Sequence, residues 1–196
     1  FLFLNLIKLF LTCGETVSKV KILQGDITTF SVDAIVNAAN SSLLGGGGVD
    51  GAIHSAAGPE LLEECATLGG CKTGEAKITK GYKLKAKYVI HTVGPIYSNK
   101  HSDECKLLLE SCYKKSLELA EQNNCKSIAF PLISAGVYGY PKKEALEVVI
   151  DRIRNYGKNL EVQIILFDKE ICKIAQKISR IIGNKKKNFY NRKIPL

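Results

Sequence analysis

This sequence predicts an α/β fold: a three-layer α/β/α sandwich with helices on both faces of a mixed central sheet. Three observations carry that expectation. Short apolar, β-branched runs alternate with helical patterns over most of the chain. Two of those runs deliver glycine-rich turns, one at 45–48 and one at 134–139. The length of 196 residues, with 45% hydrophobic and 24% charged residues, suits a single soluble domain with a real core.

The elements follow in order. Val20–Gln24 alternates as a strand, and Gly25-Asp26 turns the chain. Residues 34–37 form a second strand that feeds the first glycine run. A helix pattern continues from Gly51 to Ala57. Pro59 opens another helix, which Gly69-Gly70 stops. Residues 75–80 alternate as an exposed strand, and 88–93 read as a buried strand ending at Gly94-Pro95. Residues 103–122 are a long helix with an apolar stripe of Leu107, Leu108, Cys112, Leu119 and Ala120, capped by Ser102 or Asp103. A short strand at 127–130 delivers Pro131 and the second glycine turn. Pro141 fits the first position of a helix bearing Ala145, Val148, Val149 and Ile153. A last strand at 161–167 precedes a closing helix at 169–182.

The organising stretch is Asn37-Ala38-Ala39-Asn40-Ser41-Ser42-Leu43-Leu44-Gly45-Gly46-Gly47-Gly48-Val49-Asp50. Four consecutive glycines add nothing to a core and cost conformational entropy. Between a strand and a helix start they expose bare N–H groups at the positive end of a helix dipole, which suits phosphate. No Gly-Lys-Ser/Thr follows, so this is not a P-loop. Nor does it read G-x-G-x-x-G, so a dinucleotide-binding turn fits poorly. Instead Asn40 precedes the glycines and Asp50 follows them. As plain structure, Asn40 would turn the chain and Asp50 would cap a helix; neither role accounts for the glycines.

Asn40, six residues, then Gly47-Gly48-Val49-Asp50 resembles the signature of the MacroD-type macrodomains. Gly25-Asp26-Ile27-Thr28, Cys71-Lys72-Thr73-Gly74-Glu75-Ala76, His91-Thr92-Val93-Gly94-Pro95 and Ser134-Ala135-Gly136-Val137-Tyr138-Gly139 extend the likeness, in order, from about Val20 to about Ile182. The resemblance implies an ADP-ribose-binding α/β domain that hydrolyses ADP-ribose from mono-ADP-ribosylated acidic side chains and deacetylates O-acetyl-ADP-ribose. A non-catalytic ADP-ribose reader is the alternative.

It also implies roles. Gly25, Asp26 and Ile27 would form the adenine end, with Asp26 accepting from the exocyclic amine and Phe167 packing on the ring. Ala38, Ala39, Asn40, Gly45, Gly46, Gly47, Gly48, Val49 and Asp50 would line one side of the diphosphate. Ile133, Ser134, Ala135, Gly136, Val137, Tyr138 and Gly139 would line the other. Asn40 and Asp50 would be the catalytic pair at the distal ribose. Whether Asp50 or a substrate phosphate activates the attacking water is left open at this stage. Taken alone, Asp26 reads as a turn residue, Phe167 as core, Tyr138 as a surface aromatic and His91 as structural.

Composition bounds the rest. Net charge is +9, which favours polyanionic partners. Five of the positive charges lie in Lys185-Lys186-Lys187, Arg192 and Lys193, a tail that reads first as a solvated end and only second as a nucleic-acid site. Seven dispersed cysteines without C-x-x-C suggest reduced thiols in the cytoplasm, and the three histidines are equally scattered, so neither a metal nor another cofactor is expected. The chain lacks methionine and begins at Phe1, as a piece of a longer protein would. Residues 1–19 are expected to be upstream sequence or a helix packed on the domain, and their apolar run is too short to span a bilayer. Residues 20–182 form the domain and 183–196 the tail. The domain is expected to act as a monomer without membrane contact.

Overall fold

The computed structural model describes residues 7–9, 20–156 and 160–175. Seven strands form one sheet: β1 (Ile7–Leu9), β2 (Val20–Gln24), β3 (Ala34–Ala38), β4 (Ala76–Lys80), β5 (Tyr88–Thr92), β6 (Ser127–Phe130) and β7 (Glu161–Leu166). Their order is β1-β2-β7-β6-β3-β5-β4. The five inner strands are mutually parallel, whereas β1 and β4 add antiparallel edges. Four helices are complete: α1 (Gly48–Ala57), α2 (Pro59–Thr67), α3 (Ser102–Gln122) and α4 (Lys142–Asn155). Residues 169–175 are also helical.

The inner strands are apolar on both faces because helices cover both. Ala34, Val36, Ile128, Phe130, Val162 and Ile164 pack with α3, α4 and the 169–175 helix. Their neighbours Ile35, Ala129 and Ile165 pack on the opposite side with Ile53, Ala57, Leu61 and Cys65 of α1 and α2. This period of two divides each strand between two cores and produces the three layers. The parallel ends align: Gln24 pairs with Leu166, Phe130 with Ile164, and Ile35 with Ala129. The loops after β2, β3, β6 and β7 therefore leave the sheet at one edge, where ligands bind in such folds.

Several local expectations change. The buried face of α3 is Cys105, Leu109, Cys112, Tyr113, Ser116, Leu117 and Ala120; Leu107 is exposed, and Leu108 and Leu119 are only partly buried. Two polar side chains join that face because each finds a partner. Tyr113 Oη accepts from the Ile133 N–H at 3.2 Å, and Ser116 Oγ donates to the Cys112 carbonyl at 2.7 Å. His101 is the N-cap of α3, without a side-chain cap bond, in place of Ser102 or Asp103. Pro141 is the N-cap of α4 and not its first helical residue. Ile7–Leu9 is a strand paired with β2, in place of the packed helix that was one of the two expectations for residues 1–19. The end of the closing helix at 176–182 and the basic tail lie outside the described residues.

Candidate functional site

The sheet edge carries a cleft of about 960 Å³, a size suited to a small-molecule ligand. Its walls come from four segments, 25–27, 38–52, 131–138 and 165–171, with Gly94 and Lys142 added. All but two of the expected binding residues line it. The exceptions are Gly45 and Gly139. Gly45 turns its carbonyl inward to accept from Asn40 Nδ2 at 2.8 Å. Gly139 donates its N–H to the Gly136 carbonyl and closes its own turn.

The first loop is built by close approach. A Cβ on Gly46 would sit 3.0 Å from Asp50 Oδ2 and 3.2 Å from Asn40 Nδ2. Gly48 has φ +62°, which glycine adopts without steric cost. Helix α1 starts there, with Gly47 as N-cap and no side-chain cap bond, so side chains do not cover its first N–H groups. Asp50 lies in the first turn but does not cap it. It is 3% exposed, and its Oδ1 accepts from Asn37 Nδ2 at 2.7 Å.

Asn40 has less freedom than the sequence suggests. Its Oδ1 accepts from both Ser42 N–H at 3.0 Å and Ser42 Oγ at 2.6 Å, while Nδ2 donates to Gly45. One amide N–H remains for a ligand.

The second loop holds Ser134 at φ +63°, a conformation costing about 1–3 kcal/mol for a non-glycine residue. The Tyr140 N–H bonds the Ser134 carbonyl at 2.9 Å and secures this turn. Val137 at its tip is fully exposed, and Tyr138 is half-buried along the cleft wall.

At the other end Asp26 is both turn residue and cleft wall. Its Oδ1 accepts from Thr28 N–H at 3.0 Å and Thr28 Oγ1 at 2.8 Å. Phe167 is 82% exposed beside it, so it is a presented ring and not core. Sequence reasoning missed Lys142 and Asp168 on the same rim. Lys142 Nζ pairs with Asp168 at 2.9 Å and Glu170 at 3.0 Å. This ion cluster raises the Lys142 pKa and holds the Asp168 carboxyl below its usual range.

Sequence reasoning also missed a buried polar chain beneath the first loop. Asn37 Nδ2 bridges Asp50 Oδ1 and, at 3.1 Å, His91 Nδ1. His91 Nε2 meets Thr79 Oγ1 at 2.9 Å and Cys65 Sγ at 3.6 Å. His54 Nε2 approaches Asp50 Oδ1 to 3.5 Å. Both omissions left traces: Asn37 is the one polar residue within Ala34–Ala38, and His54 stands four residues after Asp50 on the same helix face. His91 is buried, as expected. Desolvation first, and His54 second, push its pKa down to about 3, so its ring is neutral.

Folding brings His54, Cys65 and His91 within metal-ligand reach despite their separation in sequence. The hydrogen bonds oppose such use. With Nδ1 facing the Asn37 amide, the tautomer that suits this contact has its proton on Nε2, the atom a metal would need bare. Burial also raises the Cys65 thiol pKa to about 11, against the thiolate that a metal prefers.

Among the described residues, Asn37 Oδ1, Asp50 Oδ2, His54 Nε2, Ser134 Oγ and, away on α4, Arg152 Nε are buried without a hydrogen-bond partner. Each such atom costs about 1–3 kcal/mol when unmet. Three of them cluster around Asp50, and of the five residues only Asp50 and Ser134 line the cleft, where a polar ligand could meet them.

The site thus consists of two amide-rich loops facing across a cleft in a three-layer α/β domain, with an acid at its floor and an aromatic ring at its rim. Residues 36–149 match the Macro domain family, and the chain belongs to that family. It is 52% identical over 171 residues to a Macro domain-containing protein of Methanosarcina mazei, covering 85% of this chain and 91% of that one. It is 51% identical over 175 residues to the human ADP-ribose glycohydrolase MACROD2, covering 88% of this chain but 40% of that longer protein. The Oceanobacillus iheyensis macrodomain with ADP superposes with TM-score 0.84 at 40% identity, over 93% of this chain and 99% of that one. The Trypanosoma brucei macrodomain in complex with ADP-ribose gives TM-score 0.76 at 44% identity, over 81% and 68%.

Proposed function

We propose that this domain is an ADP-ribose hydrolase that removes ADP-ribose from mono-ADP-ribosylated Asp and Glu side chains and deacetylates O-acetyl-ADP-ribose. One observation carries the reading: Asp50 Oδ2, buried and without a partner, faces the Asn40 amide across Gly46 at the cleft floor. Names such as ADP-ribose glycohydrolase MACROD2 among its relatives support it.

The diphosphate lies between the α1 N-terminus and the second loop, held by main-chain N–H groups. Asp26 and Phe167 take the adenine, and the distal ribose reaches Asn40 and Asp50. Water attacks at C1″. Its oxygen becomes the hydroxyl of free ADP-ribose, the bond to the acyl oxygen breaks, and the acceptor leaves as a carboxylate. The water's proton, held for the moment on Asp50, is released afterwards. Asp50 Oδ2 accepts a hydrogen bond from that water and draws its proton. With O-acetyl-ADP-ribose the water attacks the acetyl carbonyl carbon instead. The bond from that carbon to the ribose oxygen breaks, the ribose oxygen takes up a proton, and the products are acetate and ADP-ribose. The domain works as a monomer in the cytoplasm, a location that the six described free thiols, five of them buried, support.

The test is incubation with an auto-modified acceptor and measurement of free ADP-ribose. Release supports the proposal. Tight binding without release makes the domain a reader.

A further inference from the structure

We propose that His91 is a positioning residue for Asp50, acting through Asn37. Its Nδ1 lone pair holds one amide hydrogen of Asn37, so that the other points at Asp50 Oδ1 and leaves Oδ2 as the free oxygen. This inference rests on the hydrolase reading of the same cleft.

The sheet register builds the relay. Asn37 on β3 pairs directly with His91 on β5, and Thr79 stands on the adjoining β4. The line Thr79–His91–Asn37–Asp50 therefore crosses three neighbouring strands and ends in the first turn of α1. Thr79, His91 and Asn37 are all at most 2% exposed, so water cannot replace a lost bond.

Hydrogen counting admits one arrangement. Asp50 accepts, so the Asn37 group facing it must be the N–H₂. The second hydrogen of that group points at His91 Nδ1, which must then be bare. A neutral ring with bare Nδ1 carries its proton on Nε2 and donates it to Thr79 Oγ1. The Thr79 hydroxyl in turn donates to the Lys80 carbonyl at 3.2 Å or the Val89 carbonyl at 3.5 Å. With the other tautomer, two donors would oppose each other in a dry core. The Asn37 amide could relieve that clash only by turning its oxygen toward His91, which would put its contact with Asp50 at risk. The bonds thus run in series: Thr79 accepts from the Nε2 proton, the bare Nδ1 holds the amide, and the amide holds the carboxylate.

The direct test is long-range ¹H–¹⁵N NMR on histidine-labelled protein, with the His91 signal assigned by its loss in a His91→Asn variant. A ring with bare Nδ1 and protonated Nε2 is expected at neutral pH. An Nδ1–H ring, or an imidazolium, overturns the proposal.

Kinetics supply the second test. His91→Leu removes the acceptor and should lower kcat on the order of tenfold to a hundredfold, with ADP-ribose affinity within about threefold of the parent. His91→Asn puts an amide oxygen where Nδ1 stood and should recover most of that loss. Equal losses in both variants, or parent kcat in His91→Leu, overturn the idea. If His91→Leu fails to fold, the tautomer of the parent decides alone: a bare Nδ1 supports the relay and an Nδ1–H ring overturns it. If the parent binds ADP-ribose but releases none, the hydrolase reading fails while the tautomer measurement still decides the relay.

Discussion

Asn40 Nδ2 and Asp50 Oδ2 flank Gly46, 3.2 Å and 3.0 Å from the point where a side chain on that glycine would begin. The gap between donor and acceptor is thus kept open by the absence of one methyl group. A ligand hydroxyl or water entering there meets an N–H on one side and a carboxylate oxygen on the other.

Gly46→Ala should therefore close the gap. Its methyl would press on both polar atoms at distances that real side chains rarely accept. Turnover should fall by at least about tenfold, since small displacements of reacting groups carry that cost. The melting temperature should change little, because the methyl faces the cleft. Activity and thermal unfolding measured on the same preparation check this.

Asp50→Ala should abolish measurable release of ADP-ribose while leaving ADP-ribose binding within about tenfold of the parent. It also strands the buried Asn37 amide, at a cost of about 1–3 kcal/mol in stability. Calorimetric titration and urea unfolding read the two effects separately. Equal loss of affinity and turnover would reduce Asp50 to a binding group.

Phe167→Ala should weaken ADP-ribose binding by about 1–3 kcal/mol, the usual worth of a base stacked on an aromatic ring. Its exposure means that little core contact is lost, so the unfolding midpoint should stay put. Asp26→Ala should also weaken binding, and it additionally frees the Thr28 bonds that shape the turn. Isothermal titration with ADP-ribose measures both.

Acid should destabilise the fold through His91. The unfolded chain takes up that proton near pH 6.5, the folded chain only near pH 3. Between those values the unfolded state binds more protons, so stability falls as pH drops, by up to about 1.4 kcal/mol per pH unit. Above that window the group contributes no pH dependence. Urea midpoints measured downward from neutral pH should slope less in His91→Asn than in the parent.

The strands were legible because a strand declares itself through near neighbours: alternation along Val20–Gln24 and the apolar run of 161–167 needed no distant partner. The glycine run was legible for a different reason, since no packing role explains it. The α3 face was misjudged because Tyr113 and Ser116 look polar until Ile133 and the Cys112 carbonyl are in place. Leu107 looked buried for want of the same information. Lys142 and Asp168 stay silent in sequence, being 26 positions apart and meeting only when β7 is laid beside β6.

By itself the sequence determined the α/β alternation, the two amide-rich turns and the candidate pair Asn40 and Asp50, because each depends on residue type and short spacing. Only the tertiary structure decided which partners those residues meet. Strand register set His91 opposite Asn37, and Asn37 beneath Asp50. Burial then removed the water that would otherwise let each polar group choose its own partner. Local pattern reports which surfaces want to be covered, whereas the direction of a hydrogen bond in a dry core depends on every other donor and acceptor around it.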